Sequence, residues 1–360
     1  MMNDNKKPDS KSAFEAKFDA QKIAFAPVVF QVAKSLRDLG ILELISDSGD
    51  DGVSVEEIVE KLSLNLYGVK VLLELGVSSE LAYLKEDRYI LTKTGFFILH
   101  DPMTTVNMDF IHDVCYQGLF HLTEAITEKK PAGLKVFGEW QTIYQALASL
   151  PPRVQKSWFA FDHYYSDLAF PEVLPLVFKQ HPRRLFDVGG NTGKWALACA
   201  KYDPDVKITI LDLPGQLNKA YENIRDKGLE NRIDGFEIDL LDQSQSIPDG
   251  ANAIWMSQFL DCFSEPEIIH ILKTTRAAMT PDTDLYILEP FWNRQQFEAS
   301  TFSLQSTSLY FTCMANGNSK MYHSDDMYRC LDAAGLSVVE DTDNIGICHT
   351  LLRCRSNARQ

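Results

Sequence analysis

The chain has 360 residues, 45% hydrophobic and 24% charged, with a formal net charge of -15. That length exceeds the usual single core and predicts two domains with ample apolar material to bury. The acidic balance opposes general affinity for a phosphate backbone or an anionic membrane surface, so nucleic acid and membrane are excluded as general partners.

Residues 1–13 are polar and lack an apolar segment of signal-peptide type, which predicts a disordered tail. No apolar run is long enough to span a bilayer. The seven cysteines are scattered without C-x-x-C spacing, the pattern of reduced thiols in a cytoplasmic protein, with neither a disulfide framework nor a metal site.

Residues 14–102 form the first expected domain. From Phe14 to Ile45 apolar residues recur at three and four, and they carry more apolar surface than one exposed helix should. The excess predicts burial against a second chain. Two short amphipathic helices follow, the first with a Ser54/Glu57 capping box, then a hairpin turning at Lys85-Glu86-Asp87. The pattern reads as a winged helix-turn-helix and raises a DNA-binding regulator as one function class. Against it, acidic residues outnumber basic ones from Gly40 to His100, and "NLYGVKVLLELG" offers a groove one lysine and no arginine.

A helical connector is expected over residues 103–180, holding "WFAFDHYYSD" from Trp158 to Asp167. From 181 to 356 strands and helices alternate. "RRLFDVG", "KITILDL", "IDGFEID", "AIWMSQFL" and "LYILEPF" read as strands, and the end of the chain as an antiparallel hairpin turning near Asn344-Ile345-Gly346. The expected fold is α/β: a Rossmann-like, mostly parallel sheet with a C-terminal antiparallel hairpin, preceded by the helical winged-helix domain.

"FDVGGNTGKWA" joins the first of these strands to a helix, where a nucleotide-type ligand binds in such sheets. A P-loop is excluded because Val188 stands where its first glycine should be and Trp195 where Ser or Thr should bind magnesium. Gly189, Gly190 and Gly193 give G-G-x-x-G, which also misses the dinucleotide pattern. The D-x-G-x-x-x-G spacing from Asp187 to Gly193 is that of the S-adenosylmethionine loop in methyltransferases, and an acidic loop suits a sulfonium cation. Asp212, with Leu213, ends the next strand at the distance from which a carboxylate accepts ribose hydroxyls. Asp239 and Leu240 end the third, within reach of an adenine. Aspartates at strand ends also cap helices and fill turns, so it is the ordered set that points to a cofactor.

"FDVGGNTG", "LDLPGQ" and the "EIDLLD" region resemble the cofactor motifs of the small-molecule O-methyltransferase family, which includes the caffeate and hydroxyindole enzymes. The resemblance covers nearly the whole chain and implies S-adenosyl-L-methionine as cofactor, a homodimer interlocked through the N-terminal helices, and a small aromatic hydroxyl compound as acceptor. It breaks in "MSQFLDCFSEPE", where Asp261 falls at the family's catalytic histidine and Ser257 at a lysine near the cofactor. Glu289 matches the first of two acidic residues that flank that histidine. The second is replaced by Met321, beside His323.

Asp261 is therefore the expected base, with Glu289 raising its pKa, and His323 an alternative. His163 lies in a segment that approaches cofactor and acceptor in the family, and Phe161, Tyr165, Trp292, Phe302 and Tyr310 are the expected apolar lining of a flat acceptor pocket. The missing histidine also raises a second class, a cofactor-binding protein of the same fold with a sensory role or with chemistry other than methyl transfer.

Overall fold

The structure is a computed structural model and describes residues 10–357. Of the expected tail, residues 1–9 lie outside the described residues, while Ser12 already caps a helix, Ala13–Ala24. The chain divides into two compact units, one up to Met108 and one from Asp109. Most of the expected connector thus belongs to the second unit.

In the first unit the helix Ala13–Ala24 buries none of its residues, and Phe14, Phe18, Ile23 and Phe25 are all exposed. Ala26–Asp38, Ile41–Asp47, Val55–Leu62, Leu66–Ser78 and Lys93–His100 enclose a core around Leu36, Ile41, Leu42, Ile58 and Leu73. The amide of Ser54 donates to Glu57 at 2.7 Å, and the Glu57 amide to the Ser54 hydroxyl, the reciprocal cap that starts Val55–Leu62. Strands β1 (Ala82–Lys85) and β2 (Arg88–Leu91) form the wing. Their two-residue turn puts Glu86 and Asp87 both at positive φ, the mirror-image turn that matches strand twist.

The second unit carries a seven-stranded sheet of β3 (Arg184–Val188), β4 (Lys207–Asp212), β5 (Ile233–Glu237), β6 (Ala253–Ser257), β7 (Asp284–Glu289), β8 (Leu336–Ile345) and β9 (His349–Ser356). Their order is β5-β4-β3-β6-β7-β9-β8, with β3 to β7 parallel and β9 antiparallel to both β7 and β8. Central strands covered on both faces read as near-continuous apolar runs, as 253–256 "AIWM" and 285–288 "LYIL" do before the polar Ser257 and Glu289 at their C-terminal ends. Alternation then divides them: Phe186, Val188, Ile254 and Met256 enter one core, and Leu185, Ile210, Trp255 and Leu288 the other.

Two details place the site. The strand order reverses between β3 and β6, so the loops leaving their C-terminal ends diverge and open a crevice, the switch point where ligands bind in such sheets. Helix Pro152–Asp167 supplies side chains to that same crevice. Among the described residues no helix is long and apolar enough to cross a membrane.

Candidate active site

A cavity of about 680 Å³ lies at the C-terminal ends of β3, β4 and β6. One end is made of the glycine loop and strand-end carboxylates, the other of aromatic walls.

At the first end, Gly189 (φ +70°) and Gly190 are the residues whose backbone lines the cavity. A β-carbon on Gly189 would stand 2.3 Å from the Phe259 ring, and one on Gly190 2.7 Å from the Asp187 carboxylate, so the loop admits no side chain at either position. Asp187 is buried, and its Oδ2 has no hydrogen-bond partner. Burial, then the nearby Asp212, pushes its pKa up to about 8. Asp212 accepts from the amides of Asn191 at 2.8 Å and Leu213 at 2.7 Å, which fixes its rotamer at the cavity wall, and burial lifts it to about 6. Leu213, Asp239, Leu240 and Ser257 also line the cavity, and the Ser257 hydroxyl is buried without a partner. Asp239 stands two residues beyond β5 rather than at its end, held by accepting the Leu241 amide.

These features fit S-adenosylmethionine: a loop the cofactor can approach closely, carboxylates facing a cation, and buried polar atoms awaiting a partner. Gly193 differs from the sequence expectation. It does not line the cavity, and at φ +77° it starts the helix Lys194–Tyr202 with its amide bound to Gly190 O.

At the second end the cavity wall includes Phe110, Trp158, Phe161, Tyr310 and Phe311. Phe110 stacks on Phe161 with ring centres 4.0 Å apart, and the Trp158 indole donates to the Tyr310 hydroxyl at 2.7 Å. Asp261 stands in the short turn Leu260–Cys262, 4% exposed, and lines the cavity. The turn is held from beneath: Glu289 Oε1 accepts the amides of Phe259 (3.0 Å) and Leu260 (2.8 Å), and the Asn316 amide group donates to Cys262 O. Ser264 donates to Glu267 through both its amide and its hydroxyl as the next helix, Glu265–Ala277, begins, so the cap leaves Asp261 free of that task.

Burial, augmented by the charge of Asp162, lifts the Asp261 pKa to about 7. Burial and Asp261 push Glu289 upward as well. Burial raises the neighbouring Cys262 thiol well above its usual range, which makes it a poor nucleophile.

Five sequence expectations at this end need correction. His323 is outside the cavity, where its Nδ1 accepts the Asp325 amide as N-cap of Ser324–Ala334 and its ring meets Trp292 edge to face. Trp292 follows it out of the site. Phe302, on Glu298–Tyr310, is 72% exposed and does not line the cavity. Tyr165 is buried against Phe161 but does not reach the cavity, and Glu289 acts behind the wall rather than on it. His163 does line it, with a pKa lowered by burial and by Lys194.

Sequence reasoning missed Asp162, Asp167, Lys194 and Tyr144, all on the cavity wall. Lys194 Nζ meets Asp167 Oδ2 at 2.5 Å and so ties Pro152–Asp167 to the glycine loop. Among the described residues no cluster of three or more His, Cys, Asp or Glu could hold a metal.

Residues 17–89 match a Dimerisation2-like domain and residues 119–337 an O-methyltransferase domain. The chain is 28% identical over 153 residues to O-methyltransferase SfmM3 of Streptomyces lavendulae, covering 42% of this chain and 45% of that one. It spans about half the length of the first curated relatives it matches. Among solved structures, the S-adenosylmethionine-dependent methyltransferase SibL in its apo form shares the fold with a TM-score of 0.71 at 23% identity, over 93% of this chain and 98% of that one. NcsB1, an O-methyltransferase from neocarzinostatin biosynthesis solved with S-adenosylmethionine and 2-hydroxy-5-methyl naphthoic acid, gives a TM-score of 0.67 at 17% identity, over 91% and 95%.

Proposed function

The chain belongs to the O-methyltransferase family, and we propose that it moves a methyl group from S-adenosylmethionine to the hydroxyl of a small aromatic compound. The observation that carries this reading is the single cavity that joins a glycine-and-carboxylate end to an aromatic end with a buried aspartate. When bound, the cofactor would supply a methyl group activated by its sulfonium, for transfer to an acceptor oxygen with the thioether S-adenosylhomocysteine as leaving group.

Asp187, Gly189, Gly190, Asp212, Leu213, Asp239, Leu240 and Ser257 are the residues that would hold the cofactor. Phe110, Trp158, Phe161 and Tyr310 orient a flat ring and exclude water, and most of the acceleration is this positioning. Asp261 takes the hydroxyl proton. A carboxylate with a pKa near 7 is matched to that task at neutral pH, where a solvated aspartate would be too weak a base. Glu289 fixes the turn that presents it, without touching the acceptor. The exposed Phe14, Phe18 and Ile23 of Ala13–Ala24 support a homodimer, and the unpaired cysteines suit a cytoplasmic setting.

Calorimetry with S-adenosylhomocysteine tests the cofactor half. Binding should fall at least tenfold in Asp212→Ala, and unchanged affinity there would sink the assignment. Incubation with cofactor and a panel of phenols tests the chemistry, read as methylated product.

A second reading follows from one observation, the aspartate where the family keeps histidine. It is a cofactor-binding protein that performs other chemistry or senses the cofactor. Product formed from phenols, at a rate lowered by Asp261→Asn, excludes it.

A further inference from the structure

Three buried side-chain atoms without a hydrogen-bond partner gather on one face of the sheet, at the cofactor end of the cavity: Asp187 Oδ2, the Trp195 indole nitrogen and the Ser257 hydroxyl. Strand register places them. Asp187 lies opposite Trp255 in the β3–β6 pairing, and Ser257 stands two residues beyond Trp255, so the side chains of 187, 255 and 257 leave the same face. Trp195, on Lys194–Tyr202, packs against that face with its ring stacked on Trp255, centres 4.1 Å apart. All four residues line the cavity, and Asp187 and Trp195 are only 2% and 4% exposed.

A buried polar group left unpaired is costly, and three at one wall call for a ligand that satisfies them together. Their chemistry defines it. An indole nitrogen only donates, a serine hydroxyl can donate, and a carboxylate accepts. The complementary ligand carries acceptor oxygens beside a positively charged donor, as an α-amino acid does. Burial, then Asp212, raises the Asp187 pKa to about 8, and an adjoining ammonium would return it to the ionised form.

Strand order tells which part of the cofactor this is. Asp212 ends β4 and Asp239 follows β5, both on one side of β3. Asp187, Trp195 and Ser257 stand at β3 and on its other side, toward β6. A cofactor whose adenosine is held at β4 and β5 therefore extends its amino-acid end toward them.

We infer that Trp195 is a further cofactor-binding residue: its indole N–H and the Ser257 hydroxyl take the α-carboxylate of S-adenosylmethionine, and Asp187 takes the α-ammonium. The inference rests on the cofactor reading given above and deepens it by assigning the amino-acid end. Among the described residues Lys194 is the one lysine on the cavity wall, and its Nζ is held by Asp167 at 2.5 Å. The two neutral donors are thus left to the carboxylate.

The test is calorimetry on the full chain with three ligands: S-adenosylhomocysteine, its decarboxylated analogue, which keeps the amine, and methylthioadenosine, which lacks the amino-acid end. In Trp195→Phe the affinity ratio of S-adenosylhomocysteine to the decarboxylated analogue should fall about tenfold, the loss of one hydrogen bond to a charged group, while methylthioadenosine binds within about twofold of the native chain. Ser257→Ala should lower the same ratio. Asp187→Asn should instead lower the ratio of the decarboxylated analogue to methylthioadenosine. An unchanged first ratio in Trp195→Phe overturns the inference, whether the three ligands bind as before or weaken equally. If Trp195→Phe binds none of them, Ser257→Ala decides: a lowered ratio supports the carboxylate site and an unchanged one overturns it. A native chain that binds none of the three refutes the cofactor reading itself, whereas native binding with an unchanged ratio in Trp195→Phe refutes only the amino-acid site.

Discussion

Glu289 Oε1 accepts the backbone N–H of Leu260 at 2.8 Å, and through that bond the end of β7 fixes the turn that carries Asp261. The same oxygen accepts the Phe259 amide, so one buried carboxylate satisfies two buried donors. Replacing Glu289 by Ala should destabilise the chain by roughly 2–4 kcal/mol, because both amides lose their partner. Gln keeps an acceptor in place and should cost less than about 1 kcal/mol. Urea denaturation of the two variants checks this, and equal losses would argue against the turn-holding role.

The pH dependence follows from Asp261. Burial and Asp162 raise its pKa to about 7, so the base form is the minor species below that value and the major one above it. The rate constant kcat/KM should rise about tenfold per pH unit below 7 and level off above it. Asp261→Asn should lower the rate by roughly two to four powers of ten and flatten the rise. A profile unchanged in shape would assign the titration to another group.

Gly189 and Phe259 form a packed contact that a methyl group would break, since a β-carbon would come within 2.3 Å of the ring and φ is +70°. Gly189→Ala should weaken cofactor binding at least tenfold. Adding Phe259→Ala removes the clash but not the backbone strain, so the double variant should regain part of the affinity. Calorimetry with S-adenosylhomocysteine reads both steps.

The hydrogen bond from the Trp158 indole to the Tyr310 hydroxyl, 2.7 Å and buried, crosses the acceptor end. Tyr310→Phe leaves the indole donor without a partner and should cost roughly 1–2 kcal/mol of stability. Trp158→Phe in the same background should cost less than it does alone, a coupling that a double-mutant cycle measures directly.

An isolated helix of twelve residues is marginal in water, yet Ala13–Ala24 is held with Phe14, Phe18 and Ile23 exposed. Burial of these side chains by a second copy is the expected remedy. Replacing the three residues by Ser should convert a dimer into a monomer in light scattering, and a native chain that already runs as a monomer would refute the arrangement.

What was legible in the sequence was local. Strands showed because buried parallel strands read as near-continuous apolar runs, and helix starts showed where Ser54/Glu57 and Ser264/Glu267 formed capping pairs. The glycine loop was legible because a side chain at 189 or 190 would collide with Phe259 or Asp187. The acceptor end was less so. Asp162 and Asp261 are far apart in the chain, and an aspartate within a helix carries no pattern that foretells which wall it meets. His323, Trp292 and Phe302 were assigned by neighbourhood in sequence, whereas His323 caps the next helix with its ring against Trp292, and Phe302 is left exposed.

The support under residue 261 comes from its neighbours in the turn and, beneath them, from Glu289, which does not line the cavity. Phe259 fills the space beside Gly189, Gln258 sits at φ +46° with its side chain against His349, and Glu289 gathers the amides. The backbone of the turn is thus held through residues 258 to 260 and 262, on either side of Asp261. A substitution at 261 would therefore alter the charge at the aromatic wall while the bonds to Glu289 that hold the turn stay in place.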